Sequence, residues 1–226
     1  MHSAATNPLS ELARRKEQYL AVQLAGNRRA ALEFVDSALR AGLSVDDVRV
    51  HVVQQAQREI GEMWQEDRIS IAQEHMATAI SQLALTRLYE HAHRRNPNGK
   101  KIVVACVEGE LHDLPARLVA DALDLAGYDV RYLGADVPTA SLLHSVEREK
   151  PDLIALSLTM SFHAPALSTA VKLLREQMQS SVPIAVGGNA CTWSEDIAGE
   201  IGADLTSSNA NELVSAVDRM LGVTDD

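Results

Sequence analysis

From Lys101 onward the sequence alternates between short apolar runs and stretches with helical spacing. This rhythm constrains the fold more than any single motif. Residues 102–107, 129–133, 153–158, 183–187 and 203–206 read as strands. Each is followed by a stretch with helical spacing, at 114–126, 139–149, 165–178, 192–200 and 209–221. Strand–helix–strand units close by right-handed crossovers, so five of them in succession predict a doubly wound, five-stranded parallel sheet. Pro151 and Pro183 fall at helix-to-strand turns, where the loss of a backbone donor is harmless.

The preceding residues follow a different period. Residues 8–93 contain four helical segments and no convincing strand, which predicts a four-helix bundle. The breaks are Gly26-Asn27, Gly42 and the stretch before Ser70, and Ser44 reads as an N-cap with Asp46 and Asp47 in the first turn. Residues 94–100, Arg-Arg-Asn-Pro-Asn-Gly-Lys, read as a linker. The expected organisation is therefore a helical bundle over 8–93, a linker over 94–100 and an α/β domain over 101–226.

Composition excludes several classes. A net charge of -10 over 226 residues argues against binding nucleic acid or an anionic membrane. No apolar run approaches the roughly 20 residues that span a bilayer. The first 20 residues carry Glu11, Arg14, Arg15 and Glu17 and show no apolar signal-peptide core. Cys106 and Cys191 show no metal-ligand spacing and fit a reducing cytoplasm.

In an open parallel sheet, ligands bind at the carboxyl ends of the strands. The candidates there are Glu110, His112 and Asp113 after the first strand, and Gly134 and Val137 after the second. Ser157 and Thr159 follow at the third, and Gly187 and Gly188 at the fourth. Glu110, two residues before His112, can accept a hydrogen bond from one ring nitrogen and leave the other to meet a metal. Hydroxyls can bond a ligand inside an apolar slot, and paired glycines let the backbone approach something bulky. His51, His91, His93, His144 and His163 read as surface histidines.

These loops together resemble the cobalamin-binding domain of the methionine synthase and methylmalonyl-CoA mutase type. That family carries Asp-x-His-x-x-Gly, Ser-x-Leu or Ser-x-Thr, and Gly-Gly on a flavodoxin-like (Rossmann-type) sheet. Here the motifs read Glu110-x-His112-x-x-Pro115, Ser157-Leu158-Thr159 and Gly187-Gly188. The resemblance implies that His112 is the lower axial ligand of cobalt and that Glu110 orients it. It also implies that Ser157 and Thr159 meet the cofactor's detached nucleotide tail, and that Gly187-Gly188 lets the tail pass. Glu110 in place of Asp and Pro115 in place of Gly depart from the pattern.

In the helical half, nine residues separate Trp64 from Glu74-His75. That spacing resembles the Trp-x9-Glu-His signature of CarH-type adenosylcobalamin photoreceptors, a group that also favours the run Leu133 to Pro138. The resemblance implies that Trp64 and Glu74 enclose the adenosyl group, and that His75 becomes the upper cobalt ligand after light. Such photoreceptors carry a MerR-type DNA-binding domain, which this chain is not expected to have. In that respect it resembles the photocobilins, which add a bilin such as biliverdin.

The expectation is then a cytoplasmic light sensor and homo-oligomer, a dimer as a first guess, which binds adenosylcobalamin and signals to a downstream partner. It is not expected to be an enzyme, because no second catalytic constellation appears. The alternatives are a corrinoid carrier protein of a methyltransferase system, in which Trp64 and Glu74-His75 have no required role, and a flavodoxin-like module without corrinoid.

Overall fold

A computed structural model describes residues 8–177, 182–193, 199–207 and 209–224. The chain divides between Ala92 and His93 into two compact units.

The first unit is helical. It contains α1 (Pro8–Leu24) and α2 (Arg28–Arg40). A third helix, α3, runs from Val45–Asp47 through a π-helical segment, Val48–Val53, into Gln54–Gln65. The fourth, α4, is Ile71–His91. Local chemistry sets the starts. Asn27 Oδ1 accepts from the Ala30 N–H at 3.0 Å, and Ser44 Oγ from that of Asp47 at 3.0 Å. Ser70 and Gln73 form a reciprocal capping box. The π segment was not anticipated from the sequence. It falls in the run Val-Arg-Val-His-Val-Val, and its wider turn brings Val48, Val52 and Val53 all into the core.

The core of this unit is built around Tyr19, Val35, Ile60, Ile80 and Leu88. A polar chain crosses it. Gln23, fully buried on α1, donates to Ser81 Oγ at 2.8 Å, and Ser81 donates to Gln57 Oε1 at 3.0 Å. Gln57 in turn donates to Thr78 Oγ1 at 2.6 Å, which ties α1, α3 and α4 together.

The second unit alternates β1 (Lys101–Cys106), α5 (Leu114–Leu125), β2 (Asp129–Tyr132), α6 (Thr139–Glu149) and β3 (Leu153–Ser157). It continues with α7 (Ala164–Gln177), β4 (Ile184–Gly187), α8 (Asn189–Trp193), β5 (Leu205–Thr206) and α9 (Ala210–Leu221). The strands pair in parallel in the order β2-β1-β3-β4-β5. This is the flavodoxin-like order, and its reversal point lies between β1 and β3. The fold class is therefore a helical bundle followed by a five-stranded parallel α/β unit. Of the helix expected over 192–200, residues 194–198 lie outside the described residues, and α8 begins earlier, at Asn189.

Alternate residues of β1 feed two cores. Ile102, Val104 and Cys106 pack with α5 and α9, while Val103, Ala105 and Val107 pack with α6 and α7. The segment read as a linker runs along this second unit. Arg94 and Arg95 pair with Asp124 and Asp218, and Gly127 passes so close to the Asn96 carbonyl that a Cβ would sit 2.2 Å from its oxygen.

Candidate functional site

The strand register places Cys106, Ser157 and Gly187 in one row at the carboxyl edge of β1, β3 and β4. The chain leaves β1 at this edge, next to the reversal point of the sheet, and makes the loop that carries Glu110 and His112. Glu110 is fully buried. Its Oε1 accepts from the His112 backbone N–H at 2.9 Å and stands 2.5 Å from His112 Nδ1. Its Oε2 accepts from the backbone N–H groups of Thr159 at 2.8 Å and Met160 at 2.9 Å, and lies 3.3 Å from His163 Nδ1. Burial alone would push the carboxyl up. The side chain of His112 and the backbone donors of His112, Met160 and Thr159 outweigh burial and bring it down to about 2. A carboxylate held so firmly ionised accepts the Nδ1 proton of a neutral His112 and so assigns the lone pair to Nε2.

Neighbouring loops brace this one. Asp136 takes the Gly109 N–H on Oδ1 at 2.7 Å and donates its own N–H to the Glu110 carbonyl at 2.8 Å. Glu108 Oε2 accepts from both the N–H and the hydroxyl of Thr139, at the start of α6. The phenol of Tyr132 reaches Asp113 through the backbone carbonyl at 3.2 Å.

The remaining candidates play unequal parts. Ser157 Oγ lies beside the Cys106 thiol, and Thr159 Oγ1 beside the Glu110 loop. Both oxygens are buried without a hydrogen-bond partner of ordinary geometry. Such orphaned hydroxyls fit a ligand that brings its own donors and acceptors. Gly134, at φ +88, has open space where a Cβ would stand, and its carbonyl accepts from the Cys106 N–H. Val137 is a core residue packed with β1 and α6. Gly188 is required by its own neighbour, since a Cβ there would lie 2.3 Å from the Leu158 carbonyl oxygen; Gly187 meets only ordinary contact at 3.8 Å.

His163 was read from the sequence as a surface histidine. The structure places it against Glu110 and over Gly109, whose missing Cβ would stand 3.1 Å from His163 Nε2. The signal in the sequence was its position, six residues beyond Ser157 in the turn after β3.

In the helical unit Trp64 is half-buried near the end of α3, and Glu74 and His75 lie on the first turns of α4. The Glu74 carboxylate accepts from Thr78 Oγ1 at 2.7 Å and from Gln57 at 3.5 Å, at the end of the polar chain from Gln23. The His75 side chain is 71% exposed.

Among the described residues, no group of three His, Cys, Asp or Glu side chains is placed to hold a metal ion. A single oriented imidazole is nevertheless the donor that a metal already held by a macrocycle asks of a protein. Together with the orphaned hydroxyls of Ser157 and Thr159, the Glu110–His112 pair fits a corrinoid.

Two B12 binding domain matches cover the chain, one over residues 100–215 and one over residues 16–89. The chain is 32% identical over 123 residues to dimethylamine corrinoid protein 3 of Methanosarcina mazei, covering 53% of the chain and 71% of that protein. It is 27% identical over 195 residues to trimethylamine corrinoid protein 1 of Methanosarcina acetivorans, covering 84% of the chain and 89% of the relative. Several other curated relatives are matched over little more than half their length. Its fold is similar to that of the monomethylamine corrinoid protein of Methanosarcina barkeri, with a TM-score of 0.83 and 22% identity, covering 92% of the chain and 99% of that structure.

These findings overturn the expectation of a light sensor, since the relatives are corrinoid proteins rather than photoreceptors. The photoreceptor, bilin and signalling parts of that reading fall with it. The structure supplies a physical reason why the Trp64–Glu74–His75 spacing misled. Glu74 is engaged by the bundle's own Thr78 and Gln57, so a glutamate at that position also serves the contact of α3 with α4. The chain belongs to the B12 binding domain family.

Proposed function

We propose that the chain is a corrinoid carrier, which holds a cobalamin-type cofactor and presents it to methyltransferase partners without turning over substrate itself. The observation that carries this reading is the Glu110–His112 pair at the carboxyl edge of β1. A bound corrinoid supplies a cobalt that takes up and gives up a methyl group. His112 would hold that cobalt through Nε2, with Glu110 fixing the tautomer by accepting from Nδ1. The Ser157 and Thr159 hydroxyls receive the nucleotide tail beside Gly187 and Gly188, and Asp113, Gly134 and Val137 shape the rim of the two adjoining loops. Residues 8–93 form the helical bundle that carries Trp64, Glu74 and His75, and 94–100 form the linker. Residues 101–226 form the cobalamin-binding domain.

The names of the relatives support a methylamine system. An amine is a poor leaving group, so its methyl must be activated by a separate enzyme before a carrier can accept it. In this reading the upper face exchanges a methyl group and has no use for an adenosyl group or a bilin. Two free thiols, one of them buried, suit a cytoplasmic setting. Among the described residues, no helix is long and apolar enough to cross a membrane.

The test is electron paramagnetic resonance of the full chain loaded with cob(II)alamin and labelled with 15N-histidine. The expected cobalt signal carries splitting from a labelled nitrogen, and His112→Ala abolishes it. Splitting that survives in His112→Ala would refute the ligand assignment. A loaded chain that accepts no methyl group from any methylamine methyltransferase would refute the carrier role.

A further inference from the structure

Three described residues other than glycine have a left-handed backbone, Asp67, Asp136 and Lys150. Lys150 is the C-cap of α6, and Asp67 follows Glu66 at the end of α3, where helices commonly take that conformation. Asp136, at φ +47, ends no helix and lies exposed in the turn between β2 and α6. A backbone held in this region away from a helix end points to a role. Here it turns two polar groups of one residue onto the loop that carries His112. Its Oδ1 accepts from the Gly109 N–H at 2.7 Å, and its own N–H donates to the Glu110 carbonyl at 2.8 Å.

The His112 loop returns a carboxylate of its own. Pro138, at the N-cap of α6, brings no side-chain cap, and the first turn of α6 has no acidic residue. Glu108 fills that place from 31 residues away, its Oε2 accepting from the Thr139 N–H and hydroxyl at 3.1 Å each. Two exposed carboxylates thus cross between adjacent loops, just before Glu110 on one side and at the start of α6 on the other. Exposed amides can bond water equally well, so the pair serves the shape of the loop rather than its burial.

We propose that Asp136 and Glu108 are positioning residues for His112, which hold its loop in the ligating shape before any corrinoid arrives. This rests on the carrier reading and deepens it. Glu110 orients the imidazole from within the same loop, so the loop must itself be fixed for that orientation to set a place in space. The crossed carboxylates fix it to the turn between β2 and α6, as the Thr159 and Met160 amides fix Glu110 to the loop after β3. A loose loop would be ordered only on binding, which lowers affinity.

The experiment titrates the full chain with hydroxocobalamin and, separately, with diaquacobinamide, which has the corrin ring but no nucleotide base. Binding is read from the absorption change. Asp136→Ala and Glu108→Ala are each expected to weaken both ligands by about ten-fold, the value of one hydrogen bond to a charged group. Asp136→Asn keeps an acceptor oxygen and tolerates the left-handed backbone, and Glu108→Gln keeps its acceptor, so both should bind as wild type does. The alanine changes are then repeated in His112→Ala and titrated with hydroxocobalamin, which its tail also holds. A positioning role predicts no further loss there, because the residue to be positioned is gone. An equal loss with and without His112 would overturn the proposal, and so would unchanged affinity in both alanine variants. A wild-type chain that binds neither corrinoid would instead refute the carrier reading itself, and this role with it.

Discussion

His163 Nδ1 stands 3.3 Å from Glu110 Oε2, while Oε1 of the same carboxylate lies 2.5 Å from His112 Nδ1. One fully buried carboxylate thus serves two imidazoles and also accepts from the backbone N–H groups of His112, Thr159 and Met160. It links the loop after β1 to the loop after β3. Glu110→Gln keeps the shape, but it replaces one acceptor oxygen with an amide that can only donate. That amide must face donors on one side of the site. The expected loss is about 2–4 kcal/mol of unfolding free energy, measured by urea denaturation of the ligand-free chain. A loss below about 1 kcal/mol would show that the carboxylate is not structurally required.

The same group predicts a pH dependence. Its carboxyl is lowered from an ordinary 4.5 to about 2 in the folded chain, so the unfolded chain binds the proton more readily. The stabilisation is therefore fully present above about pH 4.5 and is lost as pH falls towards 2. It amounts to about 3 kcal/mol at most. Asp152 and Glu149 are also held low, so the whole chain loses stability in acid for more than one reason. The difference between wild type and Glu110→Gln isolates this carboxylate. That difference should hold level from pH 6 to about pH 4.5 and then shrink towards pH 2.5, and a difference that stays constant to pH 2.5 would exclude the effect.

Much of this was legible in the sequence because it is written in local periods. Strand runs and helical spacing gave the five βα units, and Glu110-x-His112 gave the centre of the site. Contacts made by folding were not legible. His163 is 53 residues from Glu110, and only the parallel pairing of β1 with β3 brings their loops together. Gly188 read as room for a ligand but is filled by the Leu158 backbone, a closeness that no spacing encodes. Trp64 and Glu74-His75 carried a real pattern that pointed to the wrong output. Of its members Glu74 is tied to Gln57 and Thr78 where α3 meets α4, and such a contact does not distinguish a carrier from a sensor.

Two glycines with similar backbone angles should respond differently to alanine. Gly188 has φ +104 and Gly134 has φ +88, so both pay for a left-handed conformation. At Gly134 the added methyl meets open space, and the expected cost is about 1–2 kcal/mol. At Gly188 it meets the Leu158 carbonyl oxygen at 2.3 Å, and the backbone must move. Gly188→Ala should cost about 3 kcal/mol or more, because strain and overpacking add. Thermal unfolding of the two variants side by side checks the order, and equal shifts would mean that the β4–α8 turn can yield.

The Thr159 hydroxyl offers a test in which stability and binding move in opposite directions. Its Oγ1 is buried without a hydrogen-bond partner, while its backbone N–H is already used by Glu110. Thr159→Val keeps the branched shape and the backbone bond and removes only the unsatisfied oxygen. The ligand-free chain should therefore be unchanged or more stable by up to about 1 kcal/mol. If the hydroxyl bonds the nucleotide tail, the same variant should bind hydroxocobalamin about five- to ten-fold more weakly, the value of one hydrogen bond, and bind cobinamide as wild type does. Urea denaturation and paired titrations measure the two effects on one preparation. A variant that is destabilised and binds both corrinoids normally would place Thr159 in the packing of the loop and remove it from the tail site.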